Sequence, residues 1–178
     1  PGHLADRVPT LSGEEMVAQL VPPPQFAPAT LDSYRPDRDY PSQGAAVAAI
    51  RNFVGGWQSG GGGLFSRKKA APALPGVYLD GGFGVGKTHL LASAYWQLPD
   101  SGEHPKPFAT FGELTQLAGV FGFIECIGLL ADYVVVCIDE FELDDPGNTT
   151  LVSRLLSALV ERGVSIAATS NTLPEQLG

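Results

Sequence analysis

The stretch GGFGVGKTHL, residues 81–90, limits the possible folds of this chain more than any other. A short apolar run, VYLD, precedes it and a helix-like run, THLLASAYW, follows, so the glycines stand between a strand and a helix. The spacing is G-x-x-x-x-G-K-[ST], carried by Gly81, Gly86, Lys87 and Thr88. Glycine tolerates positive φ and leaves backbone N–H groups unshielded, so a loop of this kind can close round phosphate oxygens. The N-terminus of the following helix adds its partial positive charge. On this reading Gly81, Gly82, Phe83, Gly84, Val85, Gly86, Lys87, Thr88 and His89 hold a nucleotide's phosphates. Lys87 reaches the β- and γ-phosphates, and the Thr88 hydroxyl coordinates Mg2+. The bland alternative is a glycine turn with no ligand, and the position between strand and helix weighs against it.

VVVCIDE, residues 134–140, is an independent sign. A strand apolar on both faces suits the interior of a parallel sheet. Asp139 at its carboxyl end is placed to hold the Mg2+ shell, on a strand expected to neighbour the one before the loop. Glu140 beside it suits a general base or water-orienting group, which favours hydrolysis over transfer to another acceptor. Asn171, ending VSIAATSN, would bond the γ-phosphate or the attacking water. Predicted strands over 76–80, 108–111, 134–140 and 164–171 alternate with helices. That alternation predicts an α/β P-loop NTPase with a parallel sheet flanked by helices on both faces. The helix after the loop runs to about Gln97, and residues 112–133 are mainly helical but broken by their glycines. A last helix has Asp145 as cap and Pro146 at its start, puts Leu151, Leu155, Leu156 and Leu159 on one face, and ends at Gly163.

Upstream, residues 1–41 form a Pro-rich extension with one short helix, in which Ser12 and Glu15 make a capping box. Residues 42–58 form a second helix, capped by Ser42, with Val47, Ile50 and Val54 on one face. Residues 59–75 are a Gly-rich loop with the basic triplet Arg67, Lys68 and Lys69, and the P-loop NTPase core occupies 76–178. The net charge of −8 argues against general binding to nucleic acid or anionic membrane. The two cysteines, Cys126 and Cys137, offer neither a disulfide framework nor a zinc site, and Cys137 reads as a small buried hydrophobe. No apolar run has membrane-spanning length and no signal peptide opens the chain, so a reducing, cytoplasmic setting is expected.

Three segments, GVYLDGGFGVGKTHLL, VCIDEFELDD and RLLSALVERGVSIAATSNTLPEQL, together resemble the ZapE family of cell-division P-loop ATPases, relatives of the mitochondrial lactation-elevated ATPases. The resemblance implies an AAA-type module that uses ATP and Mg2+, with Asp139 and Glu140 as Walker B and Asn171 as sensor 1. It also implies action on the tubulin-like FtsZ polymer at the division site, with a homo-oligomer possible for a longer chain. Gln43 aligns with a family glutamine whose amide, both donor and acceptor, would read the adenine edge. Asp80 and Asn148 depart from the family, which carries an aromatic and an Asp there. A fifth strand, an arginine finger and a helical lid are expected beyond Gly178, and Arg154 and Arg162 read as surface charges. The competing readings are a nucleotide-gated binding module with little turnover and a helicase-loader-like ATPase. A GTPase would need an Asn-Lys-x-Asp segment, which these residues lack.

Overall fold

Strands β1 (Val77–Asp80), β2 (Phe108–Thr110), β3 (Val135–Asp139) and β4 (Ser165–Ser170) form one parallel sheet in the order β1-β4-β3-β2. The computed structural model describes residues 11–60, 76–98, 106–141 and 146–171. The predicted cap Asp145 and the triplet Arg67, Lys68 and Lys69 lie outside the described residues. Parallel neighbours need crossover connections, and these carry helices to both faces. Helices α2 (Pro41–Gly60) and α3 (Lys87–Gln97) share one core with Val135, Cys137 and Ala167. Helices α1 (Gly13–Ala18), α4 (Phe111–Phe121), α5 (Phe123–Ala131) and α6 (Pro146–Glu161) share the other with Val136, Ile138 and Ala168. Successive residues of β3 thus alternate between the two cores, and all of β3 is buried.

Several local devices set the element ends. Ser12 and Glu15 form the expected capping box at α1. A second box, which the sequence reading passed over, joins Thr110 and Glu113 at the start of α4. It cuts the strand predicted over 108–111 at Thr110, because the Thr110 side chain already caps the helix that Phe111 begins. Helices α4 and α5 meet at Gly122 with a bend of 119°, so the glycine break falls inside residues 112–133 as expected. Among the described residues no single helix is long and apolar enough to cross a membrane. Helix α2 starts at Pro41, one residue before the predicted cap Ser42, since the fixed φ of proline suits a first helical position. The expectation that Asp139 stands on a strand beside β1 is corrected too: β4 lies between β1 and β3.

The segment before α2 belongs to both cores. Val17 is 1% exposed against α5, and Ala29 and Leu31 are buried with α2 and α3. The Leu20 carbonyl accepts the Phe108 N–H at 2.8 Å, which satisfies a donor on edge strand β2.

Candidate nucleotide site

The carboxyl ends of β1, β3 and β4 converge, with Asp80 opposite Ser170 and Thr110 opposite Asp139. Open α/β sheets bind ligands outside these ends. From β1 the chain enters the glycine loop, where Gly81, Gly84 and Gly86 take φ values of 144°, 77° and 88°. These are left-handed values that L side chains resist, so the glycines are needed for this path. Gly86 then begins α3, and its carbonyl accepts the Leu90 N–H at 3.1 Å.

Lys87 folds back over the loop. Its Nζ donates to the Gly81 and Gly82 carbonyls at 2.7 Å each and to Asn171 Oδ1 at 2.8 Å, joining the loop to the end of β4. One residue on, Thr88 Oγ1 donates to Asp139 Oδ1 at 3.1 Å. The same carboxylate oxygen accepts Thr169 Oγ1 at 2.5 Å, and Thr169 Oγ1 in turn accepts the Glu140 N–H at 3.1 Å. Thr169 therefore fixes both acidic residues, a role that sequence reading missed although it singled out Asn171 two positions later. Glu140 is exposed and has a φ of 54°, a left-handed value found at no other non-glycine among the described residues. Such backbone strain costs about 1–3 kcal/mol and concentrates at functional sites.

Lys87, Thr88, Glu140 and Asn171 line one cavity of about 260 Å³ with Phe26 and His89. Phe83 at the loop tip also lines it and is 84% exposed. Phe26 comes from the segment before α2, and that arm makes further contacts with the loop and α3. His89 Nε2 bonds Ser33 Oγ at 2.9 Å and the Thr30 carbonyl at 3.1 Å, and Trp96 Nε1 donates to the Phe26 carbonyl at 2.9 Å. Gln43 is not among the residues lining this cavity, and its Oε1 accepts the Asp37 N–H at 2.8 Å. Nothing in the sequence marked Phe26, Thr30, Ser33 or Tyr34, because their partners lie more than fifty residues away. Arg154 and Arg162 are both exposed on or just after α6, with Arg154 over the Phe123 ring at 5.6 Å. Burial pushes the Cys137 thiol, under the site on β3, up to about 12.

A family model described as AFG1-like ATPase matches residues 10–178. This chain belongs to the AFG1-like ATPase family. Within it, the resemblance to ZapE holds: Cell division protein ZapE of Escherichia coli strain K12 is 34% identical over 125 residues, 65% of this chain and 33% of ZapE. The matched part thus spans about a third of that relative's length. Two solved structures share the fold of this AFG1-like chain. DnaI superposes with a TM-score of 0.59 at 21% identity, over 87% of this chain and 78% of its own. The DnaC helicase loader superposes at 0.59 with 20% identity, over 85% of this chain and 81% of its own. The parallel sheet with helices on both faces is the P-loop fold that the order of elements predicted.

Proposed function

We propose that this chain is the Mg2+-dependent ATP-binding and ATP-hydrolysing module of a protein that remodels or regulates a protein polymer at the cell-division site. One observation carries the reading: Lys87, Thr88, Glu140 and Asn171, from three separate parts of the chain, line a single cavity at the carboxyl ends of the strands. The loop N–H groups and the α3 N-terminus receive the phosphates, and Lys87 exchanges its carbonyl partners for phosphate oxygens. The Thr88 hydroxyl and the Asp139 carboxylate are hard oxygen donors that already meet, which fits Mg2+ held by few protein ligands. Among the described residues no three His, Cys, Asp or Glu side chains converge, so an all-protein cage is not what this site offers. Mg2+ held by Thr88 and Asp139 would neutralise charge on the nucleotide's phosphates. Glu140 takes the proton of the attacking water, and Asn171 orients that water or the γ-phosphate. The Gln43 amide, both donor and acceptor, reads the adenine edge in this proposal, with its Oε1 already accepting one bond, from the Asp37 N–H.

The proposed partner rests on family likeness: ZapE is named a cell-division protein, and the sequence resemblance supports an FtsZ-type polymer as partner and the cytoplasm, at the division site, as the setting. The likeness to a helicase loader is one of fold, and the charge of −8 does not favour DNA. In the full-length protein, Glu140→Gln should keep ATP affinity and lose about 10²–10⁴ in turnover, as expected for a general base. Hydrolysis at the wild-type rate by this variant would move the base elsewhere. Failure to co-sediment with FtsZ filaments in the presence of ATP would remove the proposed partner.

A further inference from the structure

The Tyr34 hydroxyl donates to the carbonyl of Val85, 51 residues further along the chain, at 2.7 Å. A weaker alternative acceptor, Gln43 Oε1, stands at 3.4 Å, so the single phenolic proton belongs to Val85. The helical ladder of α3 begins one residue later, with the Gly86 carbonyl, and does not satisfy the Val85 oxygen. The Tyr34 ring closes the other side: a Cβ on Gly86 would lie 2.7 Å from its Cε2 atom. Burial raises the Tyr34 pKa, so the phenol keeps its proton for this bond.

Carbonyl and N–H point in opposite directions across a trans peptide. Holding the Val85 carbonyl toward Tyr34 therefore turns the Gly86 N–H away from Tyr34, and Gly86 lines the cavity. A flip of the 85–86 peptide turns ψ of Val85 and φ of Gly86, and glycine at 86 makes the second rotation cheap, so without an outside anchor this peptide could flip and present a carbonyl to an anion. We propose that Tyr34 is a positioning residue for nucleotide binding, which keeps the Gly86 N–H aimed at a phosphate oxygen. This rests on the phosphate-cradle reading above. The N-terminal arm thereby becomes part of the nucleotide site.

The test uses full-length protein, ATP turnover, and titration with a non-hydrolysable ATP analogue. Tyr34→Phe keeps the ring on Gly86 and removes only the hydroxyl. The lost bond should raise KM and the analogue's Kd about three- to tenfold, with kcat retained and the Gly86 amide resonance shifted. Tyr34→Ala, which also frees the ring side, should weaken binding further. Unchanged KM and Kd in Tyr34→Phe would overturn the proposal, as would a fall in kcat that tracks a lower melting temperature. Lys87→Ala is the control. If it too binds the analogue like wild type, the cradle reading itself fails. If it loses binding while Tyr34→Phe does not, only the positioning role fails.

Discussion

Glu140 shows most clearly how one residue's backbone can serve its chemistry. Its positive φ turns the chain after β3 so that the next N–H, of Phe141, reaches the Thr169 carbonyl at 2.7 Å. A left-handed conformation costs an L residue about 1–2 kcal/mol and glycine nothing. Glu140→Gly should therefore be more stable than Glu140→Ala by about 1 kcal/mol, the reverse of the usual order. Chemical denaturation of the two variants measures this, and an Ala variant equal to Gly would mean the strain is absent. The buried thiols give a second expectation. Burial pushes Cys126 up to about 11 and Cys137 up to about 12, above the ordinary value of 9.0. From pH 9 upward the unfolded chain releases these protons while the folded chain holds them, so their contribution falls as pH rises toward 11–12. Urea midpoints measured at rising pH should drop over this window, and Cys137→Ala should make the drop shallower.

At the level of elements, periodicity and caps were the readable part. The Ser12 box, the glycine loop leading into α3, the break at Gly122 and the turn at Gly163 all stand where their residues place them. The Thr110–Glu113 box was equally readable, since T-x-x-E precedes an apolar run, but an aromatic at 111 also suits a strand and hid the boundary. Both bonds of that box form, with Thr110 N donating to Glu113 at 2.7 Å and Glu113 N donating to Thr110 at 3.2 Å. Thr110→Ala should cost about 1 kcal/mol, read as a lower melting temperature in circular dichroism. No loss would mean that packing of Leu114 and Leu117 alone sets the start of α4.

For the molecule as a whole, residues 11–40 act as structure. They fill both cores, bond the edge of β2 and brace the glycine loop. Burying a side chain such as Val17 or Leu31 is worth about 1.5–3 kcal/mol. Deleting residues 1–40 should lower stability by more than one such side chain and weaken nucleotide binding together, both followed by nucleotide-dependent thermal shift. A deletion that melts and binds like the parent would show the arm to be a passive tail. The sequence alone determined the parallel α/β class, the glycine loop and its lysine, the acidic pair and the ZapE resemblance, because each is a local pattern of spacing, period or motif. It also singled out Asn171, by its place at a strand end. Only the tertiary structure decided that β4 separates β1 from β3, that Thr169 ties Asp139 to Glu140, and that Tyr34 and Phe26 reach the loop. Strand order and contacts across more than fifty residues depend on how two cores close at once, and no local pattern encodes that closure.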